Sequence, residues 1–162
     1  MLTGTLMLSR GSFFSFEMVS DSLHQVEQRI GERARTRLME VSTTTVTSSQ
    51  VKLVLKNDGQ VALRDFAHWD VVFQYYDSPG NYLIEWLPFS SAATPGDDQW
   101  VVDAIYLDEQ AATPEIFNPG ILDPGEEIVI LAGLKPKVGN NTNGLATVST
   151  PNGVAISMNF SN

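Results

Sequence analysis

The chain has 162 residues, a formal net charge of −9 and no cysteine. That length holds one domain of ordinary size with a modest extension, and 43% hydrophobic with 18% charged residues is the balance of a chain that folds. An acidic surface repels phosphate backbones, which argues against a nucleic-acid partner, and the lack of cysteine excludes disulfides, thiolate metal sites and cysteine nucleophiles.

In chain order, the first apolar residues, Leu2, Leu6, Met7 and Leu8, precede Arg10 instead of following a basic run, so they do not make a complete signal peptide. Arg10 and Glu17 interrupt the only candidate for a membrane-spanning run. From Ser12 to Glu40 there is no proline, and Phe16, Val19, Leu23, Val26 and Ile30 recur in steps of three and four. Ala34 and Leu38 continue the series after a shift of one position. This spacing predicts an amphipathic helix of about 29 residues, roughly 43 Å long at the usual rise per residue. A helix longer than its domain must shelter its stripe against neighbours. Phe13, Phe14, Phe16, Val19, Leu23, Val26 and Ile30 are therefore expected to form an assembly interface between copies of the chain. Arg29, Arg33, Arg35 and Arg37 alternate with Glu27, Glu32 and Glu40, the pattern of a solvated, ion-paired face more than of a nucleic-acid patch.

After the helix the pattern is β. Val41 to Ser49 is rich in β-branched and hydroxyl residues, suited to an edge strand or a stiff connector. Strands are expected at Val51 to Leu55, Val61 to Leu63, Trp69 to Tyr76, Tyr82 to Leu87, Trp100 to Tyr106, Glu127 to Leu131, Leu145 to Ser149 and Val154 to Asn159. Turn signals fall between them at Asn57 to Gly59, Ser78 to Asn81, Thr94 to Asp98, Asn118 to Gly120, Asp123 to Gly125, Gly139 to Asn141 and Pro151 to Gly153. The expected class is α+β: a long N-terminal α-helix, residues 1–41, followed by an all-β immunoglobulin-like sandwich, residues 42–162.

Few residues carry chemistry. His24 and His68 have no metal-ligand spacing, and neither an HExxH motif nor a G-x-S-x-G elbow occurs. The carboxylates at Asp97, Asp98, Asp103, Asp108, Glu109, Glu126 and Glu127 lack the spacing of a calcium loop and read as solvated turns. The chain is expected to be no enzyme and to need no cofactor or metal. Aromatic residues concentrate between Phe66 and Phe89. Alternation puts Trp69, Val71, Phe73 and Tyr75 on one face and Val72 and Tyr76 on the other. One face is then core, and the other is a subunit contact or a stacking platform for sugars. Sequons at Asn140 and Asn159 permit glycan attachment on an exported chain.

The helix Leu8 to Glu40, the strand and turn Val51 to Gly59, the block Asp65 to Asp77 and the segment Ile121 to Ile130 together resemble the archaellin family, relatives of type IV pilins, and the sandwich-bearing accessory proteins of the same machine. The resemblance implies a structural subunit of an extracellular filament. Its N-terminal helices would pack at the axis, its β domains would form the outer sheath, and it would contact the membrane only during assembly. It also implies a class III signal and a strongly apolar stretch ahead of the point where Met1 stands. The second reading it implies is a stator-like accessory protein or a surface or carbohydrate-binding sandwich, with surface-layer or other filament proteins as partners.

Overall fold

The computed structural model describes His24 and residues 26–162. A short helix over residues 26–35 leads into nine strands. These are β1 Leu38–Thr47, β2 Gln50–Asn57, β3 Asp70–Tyr76, β4 Tyr82–Leu87, β5 Gln99–Asp108, β6 Thr113–Pro114, β7 Glu127–Gly133, β8 Asn143–Ser149 and β9 Ala155–Ser161. They form two sheets, one in the order β1-β2-β7-β5-β6 and one in the order β4-β3-β8-β9. Every strand pairing is antiparallel, as expected for a sandwich of hairpins and crossovers.

Alternation explains the core. Val51, Leu53 and Leu55 on β2 face Val71, Phe73 and Tyr75 on β3 across the layer, joined by Trp100, Ile128, Ile130, Val148 and Met158. Each of these side chains is buried, and each such burial stabilises the fold by roughly 1.5–3 kcal/mol. Phe160 closes one end against Phe73, ring centroids 5.5 Å apart, and a side chain at Gly144 would run into the Phe160 ring. Val41 to Ser49 forms most of β1, an edge strand. The segment Val61 to Leu63 does not become a strand: it makes one bridge, Leu63 to Leu122, before a 3-10 turn at Phe66–His68.

The expected α+β class with a long N-terminal helix is corrected. Among the described residues the helix is one short segment, and it ends at Arg35, five residues before the predicted end at Glu40. The cause lies in the corner it meets. Thr36 turns its hydroxyl back onto the Glu32 carbonyl (2.9 Å), and Asn152 donates to that hydroxyl (2.7 Å). Backbone N–H groups of Gln60 and Asp58 then take the carbonyls of Arg35 (2.8 Å) and Arg37 (2.9 Å), which forces the chain out of helical geometry. Leu38 falls on the heptad series, but it is buried in the sandwich and opens β1. The portion of the predicted helix before His24 lies outside the described residues.

Asn57, Asp58 and Gly59 build that corner. Asn57 is fully buried; its amide donates to the carbonyls of Val61 and Leu122 (both 2.9 Å) and its carbonyl oxygen accepts the Gly59 N–H (3.1 Å). A Cβ at Gly59 would stand 2.6 Å from the Arg35 carbonyl oxygen and 2.7 Å from the Arg37 nitrogen, so only glycine lets the helix end pass this close. The Asp123 to Glu126 turn closes the corner from the other side. Gly125 N–H donates to the Asn57 carbonyl (2.7 Å), and the Glu126 carboxylate accepts the Asp123 N–H (2.7 Å). Burial raises the pKa of the Glu126 carboxyl, and the Asp123 N–H offsets part of that rise.

Candidate docking surface

The sequence offers two places for contact, the helix stripe and the aromatic block. Of the stripe, Val26 and Ile30 are described, and they stand 52% and 63% exposed, without cover from the sandwich. Phe13, Phe14, Phe16, Val19 and Leu23 lie outside the described residues. The aromatic block divides as alternation requires: Trp69, Phe73 and Tyr75 enter the core, while Tyr76, Tyr82 and Trp86 emerge on the outer face of the four-stranded sheet.

That outer face is organised by the β3–β4 hairpin. The Asp77 carbonyl accepts the Gly80 N–H (3.0 Å) and the Asp77 N–H donates to the Asn81 carbonyl (2.9 Å), with Gly80 at φ +92°. This is a three-residue loop with glycine in the bulge position. The Asp77 carboxylate locks it by accepting the backbone N–H (2.6 Å) and side-chain amide (2.9 Å) of Asn81. The resulting register sets Tyr82 opposite Tyr76, Ile84 opposite Gln74 and Trp86 opposite Val72. On the outer face, Ile84 is 62% and Trp86 58% exposed, with Tyr82 and Tyr76 beside them.

The polar tips of Trp86 and Tyr82 are already engaged. The Trp86 indole N–H donates to Asp70 Oδ1 (2.9 Å), the Tyr82 hydroxyl donates to Gln74 Oε1 (2.8 Å), and the Tyr76 and Tyr82 rings lie 5.2 Å apart. Side chains held this way lose little freedom on contact, so the row offers preset apolar area. An exposed apolar row of this kind is a candidate surface for contact with another molecule. Beyond it, β8 and β9 present Asn143, Thr147, Ser157 and Asn159, so the face grades from apolar to amide and hydroxyl.

The remaining candidate residues stand apart. Asn140 is exposed in the turn before β8, and Asn159 is exposed on β9 opposite Leu145. His24 is on the helix beside Glu27 (3.6 Å), and His68 is exposed at the end of the 3-10 turn. The carboxylates serve turns and ion pairs: Asp97 with Lys135 (2.6 Å), Glu109 with Lys52 (3.0 Å), Glu127 with Lys56 (3.6 Å) and Asp98 with the Lys135 N–H (2.7 Å). Among the described residues no group of three or more His, Asp or Glu is placed to share a metal ion. Tyr75 donates to the Pro136 carbonyl (2.8 Å), and burial, reinforced by the charges of Asp98, Glu85 and Asp77, pushes its pKa up to about 12.

Two features escaped the sequence reading. Ile84 completes the outer row, and the run Tyr82 to Leu87 could have announced it, since five of its six residues are apolar or aromatic and Glu85 alone is charged. Ile116 and Phe117 protrude from the loop after β6, with Phe117 90% exposed, while Glu115 holds that loop by accepting the N–H groups of Phe117 and Asn118 (both 2.7 Å). Among the described residues no helix is long and apolar enough to cross a membrane.

Neither a protein-family model nor a curated protein matches the chain. The fold is shared with the archaellum periplasmic stator protein FlaG from Sulfolobus acidocaldarius at a TM-score of 0.56 and 22% identity, over 77% of this chain and 99% of that one. The archaellum periplasmic stator protein complex FlaF and FlaG from the same organism superposes at 0.55 and 22% identity, over 77% of this chain and 89% of that one. The archaeal flagellum of Methanospirillum hungatei strain JF1 covers 96% of this chain and 87% of its own at 10% identity, with a TM-score of 0.46, too low to speak for a common fold.

Proposed function

We propose that this chain is a stator-like accessory protein of an archaellum-type machine, a cell-surface sandwich that works by holding other proteins. The observation that carries this reading is the superposition of the sandwich on nearly the whole of an archaellum stator protein. The alternative, a filament subunit that polymerises through its N-terminal helix, has less support. The stator proteins superpose at TM-scores of 0.56 and 0.55, and no comparison gives the filament reading support of that kind.

In the stator-like reading the chain binds and does not turn over a substrate. Its contacts come from two exposed apolar features, the helix residues Val26 and Ile30 and the outer row of Tyr76, Tyr82, Ile84 and Trp86. The partners are other archaellum or envelope proteins, by analogy with FlaG, which was solved in a complex with FlaF. Immunogold labelling of the source cells tests the reading. Gold at filament bases and on the envelope supports it, and gold distributed along the filaments would return the subunit reading to first place.

A further inference from the structure

We propose that β4 is a self-pairing edge: two copies of the chain join their four-stranded sheets antiparallel about a two-fold axis centred on Ile84. This goes beyond the accessory role and does not depend on it.

The hairpin fixes which way the backbone groups of β4 point. Asp77 and Asn81 are the hydrogen-bonded pair that closes the hairpin. Bonded and non-bonded pairs alternate along an antiparallel ladder, so Leu83 and Glu85 exchange their bonds with Tyr75 and Phe73. The N–H and C=O groups of Tyr82, Ile84 and Trp86 therefore point away from β3, and among the described residues no strand meets them.

The other edges are better covered. The Thr45 hydroxyl of β1 donates to the Ser161 carbonyl of β9 (2.6 Å), which brings those two edges together. The segment after β4 shields the start of β5 through Ser90 N–H to Trp100 O (2.8 Å) and Trp100 N–H to Pro88 O (3.1 Å). Exposed edges are normally guarded by lysine, proline, a bulge or an inward-pointing charge. Tyr82–Leu87 has no lysine or proline and its register against β3 is unbroken, so its one guard is Glu85, half-buried on the inner-facing side with Leu83 and Leu87.

Glu85 selects the register instead of forbidding the pairing. The free groups sit on Tyr82, Ile84 and Trp86, so only pairings that keep these residues opposite one another satisfy the ladder. Centring on Ile84 sets it against the partner's Ile84, sets Tyr82 against the partner's Trp86, and sets Glu85 against the partner's Leu83. Centring one position on would bring two Glu85 carboxylates face to face, which is unfavourable. The chosen register makes about six ladder bonds and continues the apolar row across both sheets. Strands this short bury less than the roughly 1,200 Å² of a stable interface, so the pair is weak and concentration-dependent.

The full chain tests this directly, because it has no cysteine of its own. In the proposed register the two Ile84 Cα atoms stand about 5.5 Å apart, within disulfide reach. Two Trp86 residues would be separated by about four residue steps, roughly 13 Å. Ile84→Cys should give a disulfide dimer under mild oxidation and Trp86→Cys should stay largely monomeric. Ile84→Pro removes an N–H that faces the free side and leaves the β3 ladder whole. With an unchanged circular dichroism spectrum, it should sediment as a monomer at concentrations where the wild type shows dimer. The proposal is overturned if Ile84→Cys cross-links no more than Trp86→Cys, if wild type stays monomeric at all concentrations, or if a folded Ile84→Pro still dimerises. None of these outcomes touches the stator-like reading, which stands on the shared fold.

Discussion

The corner around Asn57 and the edge strand β4 handle their polar backbone groups in opposite ways. At the corner, the carbonyls of Arg35, Arg37, Asn57, Val61 and Leu122 are all taken by N–H or amide donors within 3 Å. At β4, the groups of Tyr82, Ile84 and Trp86 face away from their own sheet, and the side chains above them are apolar. The first region consumes its bonding capacity in holding the helix end to the sandwich. The second leaves its capacity unused within the sheet, which is what the proposed pairing requires. Substitutions in the two regions should therefore separate stability from association.

The largest effect is expected at Asn57. Asn57→Ala leaves the Val61 carbonyl and the Gly59 N–H without their partner, while the Leu122 carbonyl keeps the Leu63 N–H, and should cost about 3 kcal/mol, read as a lower urea midpoint. Gly59→Ala comes next, because its methyl would meet backbone atoms of Arg35 and Arg37 that cannot swing aside. A loss of about 2 kcal/mol is expected from that overpacking. A Gly59→Ala protein as stable as wild type would mean that the helix end is not pinned there.

The edge should behave in the reverse manner. Trp86→Ala loses one exposed ring and its bond to Asp70, and should change stability by less than about 1 kcal/mol while weakening association through this face. A large drop in thermal midpoint would place Trp86 among the core residues after all. Val26→Asp with Ile30→Asp should likewise leave the unfolding transition in place, since both side chains are exposed, and should reduce partner binding in pull-down if the helix stripe is a contact.

The smallest expected effect concerns pH. Burial raises the Glu126 carboxyl above its ordinary value, so the folded state disfavours its charged form. The contribution is present below the unfolded carboxyl pKa and is lost as pH rises through the folded one. Glu126→Gln keeps an acceptor for the Asp123 N–H and removes this loss. Its stability relative to wild type should therefore increase between pH 4 and pH 7, measured by urea titration at each pH. A flat difference would show that the buried charge carries no penalty.

Much of the sandwich was legible because period-two alternation is a strong local signal. Val51, Leu53 and Leu55, and Val71, Phe73 and Tyr75, fall inward where the pattern sets them. The helix boundary was not legible. Leu38 sits at a helical spacing from Ala34, yet the contacts that end the helix at Arg35 come from Gln60 and Asp58, more than twenty residues away, and no local pattern encodes them. The docking row was half legible. Alternation separated Tyr76 from Trp69, Phe73 and Tyr75 without saying which face is core, and that Tyr82, Ile84 and Trp86 share the outer face with Tyr76 follows from the register of β4 on β3.

In the proposed stator-like role this chain attends a filament without composing it. Filaments sheared from the source cells and washed, with this chain quantified against the major subunit by mass spectrometry, distinguish the two. The stator-like reading predicts trace amounts in the filament fraction and most of the chain in the envelope fraction. A ratio near one to one with the major subunit, or this chain as the major subunit itself, would contradict it.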